Sequence, residues 1–180
     1  MAVYKPQEDS YLLVQEIKNY IKALNNKNIK VLDMGSGSGI QAKTCLKLGI
    51  KNVLTTDINP KAIAYLKKSK LKTKKSNLFS NIKSKFDLII FNPPYLPENK
   101  YDKQLDTTGG KKGYEIINKF LTQSRSHLNK DGKILLLFSN LSRPNIIKKY
   151  AKKIGYKYKK LSEKTVFFEK LYVYILSLQT

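Results

Sequence analysis

Cysteine and histidine each occur once in the 180 residues, as Cys45 and His127. One thiol excludes an intrachain disulfide, and one Cys with one His cannot assemble a zinc site, so no metal is expected. His127 stands in Ser-Arg-Ser-His-Leu near an expected helix end, where solvation or capping suits it better than catalysis. Long apolar runs are also missing. None approaches the roughly 20 residues a bilayer span needs, so the chain reads as cytoplasmic and soluble, with no membrane partner. The length suits one domain with a full core, running 1–180, and is short for two.

Acidic residues are few, 13 against 35 Lys and Arg, which leaves a formal charge of +22. Such a field attracts polyanions and quickens encounter with them. Arginine is nearly absent, however, with only Arg125 and Arg143. Recognition of phosphates and guanines leans on the bidentate guanidinium fork. The abundance of Lys, Asn and Ile together fits an AT-rich coding sequence. A solvated lysine coat with weak nonspecific nucleic-acid attraction therefore explains the charge more economically than a dedicated footprint, which would lie at 67–75 or 148–160.

What is present is an alternation of apolar runs and amphipathic stretches, the pattern of an α/β fold. Asp9 or Ser10 is placed to cap a helix whose Leu13, Ile17, Tyr20, Ile21 and Leu24 share one stripe. A strand at 29–34 enters a glycine turn, followed by a helix at 40–48 and a strand at 52–57. Asn59-Pro60 opens another helix, with Pro where its missing N–H costs nothing. A short strand is expected within 73–77, and 86–91 (FDLIIF) is apolar enough for a buried parallel strand. Residues 93–112 hold Pro93, Pro94, Pro97, Gly109 and Gly110 with little periodicity, which marks a functional loop. A helix over 113–128 and a strand over 132–139 follow, then a helix over 144–154. Two β-prone segments, 156–161 and 166–178, leave no room for a helix between them and should pair antiparallel.

Asp33-Met34-Gly35-Ser36-Gly37-Ser38-Gly39 lies between strand and helix, where glycines allow a tight turn and close ligand approach. A dinucleotide fingerprint would space its glycines G-x-G-x-x-G and present a helix N-terminus to pyrophosphate. Here the spacing is G-x-G-x-G behind Asp33, whose charge repels pyrophosphate. It suits the cationic methionine end of S-adenosylmethionine. Asp57 ends the second strand about 20 residues past the glycines, where an acidic residue accepts from ribose hydroxyls. A cap for the helix opened by Pro60 is its bland alternative.

Asn92-Pro93-Pro94-Tyr95 directly follows the FDLIIF strand, at the carboxyl end of the sheet where open α/β folds bind ligands. The Asn92 side-chain carbonyl and the Pro93 main-chain carbonyl can accept from one NH2 group. Pro94 fixes the local backbone, and Tyr95 offers a face for stacking. A planar amide or amino nitrogen is a poor nucleophile, so alignment is what such a site must supply. It needs no strong base, because the nitrogen becomes acidic once methylated. A mere proline-rich turn is the structural alternative.

With both motifs in place, the chain resembles the HemK/PrmC family of protein glutamine N5-methyltransferases. The likeness is strongest to the short eukaryotic and archaeal branch, whose V-Y-x-P-x-E-D-[ST]-x-L-L opening matches residues 3–13 (VYKPQEDSYLL). Further matches are DMGSGSGIQA at 33–42, DINPKAI at 57–63, FNPPYLP at 91–97 and GGKKG at 109–113. The resemblance implies a Rossmann-like class I S-adenosylmethionine-dependent methyltransferase, with a seven-stranded, mostly parallel sheet of order 3214576 and a reversed last strand. It implies a flap of Tyr4, Pro6, Glu8, Asp9 and Ser10 over the cofactor, within an N-terminal segment 1–24. Cofactor contacts are expected from Asp33, Gly35, Gly37, Gly39, Asp57, Ile58, Asn77, Leu78 and Asn92, with S-adenosylhomocysteine as product. The substrate implied is the GGQ glutamine of a class I translation release factor, held by Asn92, Pro93 and Tyr95. Bacterial members grip the factor with an extra N-terminal helical domain. The short branch pairs instead with a small zinc-binding activator subunit over an apolar strip near the third strand, so that partner is expected here. One departure is Asn77-Leu78-Phe79, where the family often has Asp-Leu-Phe; Asn77 still accepts through its carbonyl oxygen.

Two other functions fit parts of the pattern. Adenine-N6 methylation of DNA or RNA shares the Asn-Pro-Pro-Tyr chemistry and suits the charge, but duplex substrates require base flipping and a recognition element for which the length leaves no room. A non-catalytic cofactor-binding protein would keep the turn and dispense with Asn92.

Overall fold

The computed structural model describes residues 3–98 and 108–179. Its strands are β1 (Lys30–Met34), β2 (Asn52–Asp57), β3 (Thr73–Lys75), β4 (Phe86–Phe91), β5 (Leu128–Ser139), β6 (Tyr156–Val166) and β7 (Glu169–Leu178). Its helices are α1 (Glu8–Lys22), α2 (Ile40–Lys47), α3 (Pro60–Lys68), α4 (Glu115–Ser124) and α5 (Pro144–Lys153). The strands form one sheet in the order β3-β2-β1-β4-β5-β7-β6. Neighbours from β3 to β5 are parallel, and β7 runs antiparallel to both β5 and β6. This is the order and the reversed strand that the resemblance implies. The winding changes direction between β1 and β4, so a crevice opens at their carboxyl ends.

Parallel strands covered on both faces must be apolar throughout, and five of the six β4 residues are buried. Alternate side chains feed two cores. On one face Leu32, Ile89, Ile134 and Leu136 meet Phe120 and Leu121 of α4 and Ile147 and Ala151 of α5. On the other, Val31, Leu88, Ile90 and Leu135 meet Leu13, Ile17 and Ile21 of α1 with Ala42 and Cys45 of α2. Cys45 is fully buried and its thiol pKa is raised by that burial, which makes it a packing residue.

Several boundaries differ from expectation, each for a tertiary reason. Neither Asp9 nor Ser10 caps α1; Gln7 occupies the N-cap without a side-chain bond. The Asp9 carboxylate is drawn to partners elsewhere. The helix expected over 113–128 is α4 followed by a 3₁₀ turn, Arg125–His127. There His127 stacks on Phe79 at 4.5 Å and its Nδ1 lies 2.9 Å from the Ser84 carbonyl oxygen. The last hairpin turns later than its composition suggests. The polar stretch 162–165 stays in β6 because its backbone pairs with β7 up to Val166 opposite Glu169. As the outer edge strand, β6 carries exposed Lys157, Lys159, Lys160 and Lys164. Charged side chains on such an edge deter pairing with other chains, which gives part of the lysine excess a structural use. Among the described residues no helix is long and apolar enough to cross a membrane, and no cluster of His, Cys, Asp or Glu is arranged to hold a metal.

Candidate active site

A cavity of about 400 Å³ opens at the carboxyl ends of β1, β2 and β4. Asp9, Asp33 and Asp57 line it, and no Lys, Arg or His does so among the described residues. In a chain of charge +22 this is a local reversal of sign. Such a cavity favours a cationic ligand and disfavours phosphate.

The turn after β1 is stitched to β2 through Ser36, whose N–H donates to the Thr56 carbonyl at 2.8 Å and whose hydroxyl donates to the Asp33 carbonyl at 2.7 Å. Gly39 closes the turn at φ +73°, where a Cβ would come within 2.8 Å of Leu66 and Leu71. Its need for glycine thus arises behind the turn, in the core. Asp33 is 2% exposed, and its Oδ2 accepts from the Ala42 N–H in the first turn of α2 at 3.1 Å. Burial pushes its carboxyl up to about 7. Asp57 binds the turn from the other side, with Oδ2 accepting from Gly37 N–H at 2.9 Å and Oδ1 from Asn59 N–H at 2.8 Å. The cap of α3 is Asn59, whose side chain accepts from Lys61 N–H. The Asp57 oxygens keep further lone pairs for a ligand.

After β4, Asn92 donates from Nδ2 to Asp9 Oδ2 at 3.0 Å across 83 residues of sequence. Its own Oδ1 is buried with no hydrogen-bond partner among the described residues. An ionised carboxylate only accepts, so Asp9 dictates which end of the Asn92 amide it meets and leaves the carbonyl end unpaired. Tyr4 also donates to Asp9 Oδ2, at 3.0 Å, while Asp9 Oδ1 takes the Ser10 N–H and hydroxyl. Burial first, with the charge of Asp9 second, raises the pKa of both Tyr4 and Tyr95, so both phenols stay neutral. The Tyr95 carbonyl accepts from the Ser142 hydroxyl at 2.9 Å. Gly113, at φ +82°, passes so close that a Cβ there would lie 2.5 Å from the same oxygen. The loop expected over 93–112 is clasped at its stem, Gly109 N–H donating to the Leu96 carbonyl at 2.8 Å; residues 99–107 lie outside the described residues.

Of the residues singled out from the sequence, the cavity brings together Tyr4, Asp9, Ser10, Asp33, Gly35, Gly37, Asp57, Ile58, Asn77, Leu78, Asn92, Pro93, Pro94 and Tyr95. Pro6, Glu8 and Gly39 are not among its lining; Glu8 is exposed and pairs with Lys164 of β6. Sequence reasoning did not find Ser36, Phe91 or Ile116, which also line it. Ser36 had a signal, a hydroxyl between two turn glycines. Ile116 had none beyond helical periodicity.

The sequence matches the methyltransferase small domain family over residues 7–160. It is 36% identical, across 95% of its own length and 89% of the relative's, to a Methanocaldococcus jannaschii protein named as a putative protein N5-glutamine methyltransferase. Identity to Mus musculus methyltransferase HEMK2 is 29%, across 85% of this chain and 79% of that one. Among solved structures, the E. cuniculi Mtq2–Trm112 complex, described as responsible for methylation of the eRF1 translation termination factor, matches with a TM-score of 0.82. That match covers 99% of this chain and 100% of the other at 24% identity, a likeness of fold.

Proposed function

Since the chain belongs to the methyltransferase small-domain family, in the short branch of protein N5-glutamine methyltransferases, we propose that it methylates the GGQ glutamine of a class I translation release factor. S-adenosylmethionine is the donor and a small zinc-binding subunit the activating partner. The solved relative, a complex with Trm112 that methylates eRF1, supports both the substrate and the partner.

The observation that carries the reading is the unpaired, buried Oδ1 of Asn92 beside a cavity with three carboxylates and no described cation. A buried acceptor without a donor is costly unless a ligand supplies one. A primary amide does so with its NH2, shared between Asn92 Oδ1 and the Pro93 carbonyl, while Tyr95 stacks on its plane. These contacts hold the nitrogen in line for attack, and positioning of this kind contributes about 7–11 kcal/mol. Asp9 acts one step back, by keeping the Asn92 carbonyl turned to the substrate. The nitrogen would gain the methyl group as the donor's sulfur–carbon bond breaks and S-adenosylhomocysteine leaves, and would then shed one proton to water, so the site needs no His or Cys.

The donor set fits the cofactor. Asp57 would accept from the ribose hydroxyls, Asn77 and Leu78 would meet the adenine, and Asp33 would meet the ammonium. When bound, S-adenosylmethionine supplies an electrophilic methyl group on a cationic sulfur. The same cavity disfavours the adenine-N6 alternative, because a nucleic acid brings phosphates toward these carboxylates. The test incubates the chain, with and without the activator subunit, with labelled donor and either an eRF1-type release factor or DNA and RNA. Label on the GGQ glutamine is expected. Label on nucleic acid and never on that glutamine would overturn the proposal.

A further inference from the structure

The most exposed large hydrophobic side chains among the described residues are neighbours, Phe167 at 93% and Phe168 at 101% of full exposure. They make up the two-residue turn between β6 and β7, whose ladder continues to Val166 opposite Glu169. Phe167 sits at φ +52°, a left-handed conformation in which a bulky aromatic is an outlier and glycine is preferred. Neither ring joins either core. Backbone and side chains here both oppose stability, a pattern that marks function when the surrounding structure enforces it.

The turn stands on the same edge of the sheet as Asn92. Phe91 is level with Leu136 of β5 and Leu136 with Tyr174 of β7. Phe168 lies six residues beyond Tyr174, so at ~3.3 Å per residue the tip projects on the order of 20 Å past that row. Lys164 binds Glu8 at the start of α1, and Lys170 N–H donates to Asn140 Oδ1 at 2.8 Å. At the base of the tip Glu169 keeps its Oε1 buried, so that oxygen is not offered to a partner. Lys164 and Lys170 pair with Glu8 and Glu163, so the tip itself offers two apolar rings in place of a cationic patch. An anionic surface is poorly served by that combination. A protein with an apolar groove, held on the edge of the sheet where Asn92 lies, is well served by it.

We propose that the Phe167–Phe168 tip docks the folded protein that carries the acceptor glutamine, with both rings in an apolar groove. The inference rests on the glutamine-methyltransferase reading and extends it from the glutamine to the body of its protein. The test compares wild type with the double variant Phe167→Gly/Phe168→Ser. Glycine relieves the left-handed strain, so the melting temperature should hold or rise. The KM for an intact eRF1-type release factor should increase about tenfold or more, as for the loss of an aromatic hot spot, with kcat and the cofactor Kd unchanged. Wild type that leaves the factor's glutamine unmethylated would defeat the functional reading and this inference with it. Wild type that methylates it, beside a variant of equal KM, would overturn the docking role alone. If the variant instead loses binding to phosphatidylserine vesicles, or a concentration-dependent dimer, while KM stays put, the tip serves a membrane or a second copy and the inference fails.

Discussion

Asp9→Asn exchanges one oxygen for an NH2 at nearly constant volume, in a position where four hydrogen bonds converge. In the wild type Oδ2 receives Tyr4 and Asn92, and Oδ1 receives the Ser10 N–H and hydroxyl. Asparagine has a single accepting oxygen. The buried Ser10 N–H cannot turn away, so it claims that oxygen and the new NH2 faces the NH2 of Asn92. The conflict is relieved when the Asn92 amide flips, which puts a donor where the substrate needs an acceptor. Loss of a hydrogen bond to a charged group costs on the order of 1.5–3 kcal/mol. In the transition state that corresponds to a fall in kcat of roughly 10- to 150-fold. Single-turnover methylation of the proposed release-factor substrate measures this, with cofactor Kd by calorimetry and thermal melting as controls. Wild-type kcat, or a loss confined to cofactor affinity, would refute the assignment of Asp9 as the residue that orients Asn92.

Asn92→Ala removes the acceptor itself, and kcat should drop about 10²- to 10³-fold, far more than any change in cofactor Kd, as for removal of one preorganised polar contact. Gly39→Ala combines left-handed strain with overpacking against Leu66 and Leu71, so it should lose about 2–4 kcal/mol of stability in urea denaturation. Asp33 is pushed by burial from 3.8 to about 7, so the folded chain holds this proton more tightly than the unfolded one. Its contribution to stability is therefore complete below about pH 4 and lost as pH rises through about 7, at most about 4 kcal/mol. Denaturation midpoints across that range should decline accordingly, with Asp33→Asn flattening the slope, while affinity for the cationic cofactor should rise with pH. Asn77→Asp, which restores the family's Asp-Leu-Phe, should tighten cofactor binding about two- to fivefold in a calorimetric titration.

Local signals were legible because their causes are local. The FDLIIF run announced a buried strand, and β4 has the expected limits, Phe86–Phe91. The glycine turn, Asp57 and the Asn-Pro-Pro-Tyr motif each follow a strand at the same end of a parallel sheet, which is why periodicity alone sufficed to gather them at one cavity. Pairings between distant segments were not legible. Nothing near Asp9 says that its carboxylate meets Asn92, and nothing near Asp33 says that its oxygen closes the first turn of α2. β6 reaches Val166 only because β7 lies alongside, and Phe167 and Phe168 are a turn rather than strand residues for the same reason. Backbone preference and hydrophobic period act over a few residues and belong to the sequence. Which polar groups are buried together, and hence the orientation of the Asn92 amide and the acidic sign of the cavity, was decided when the chain packed, because only then did those groups lose water and need one another.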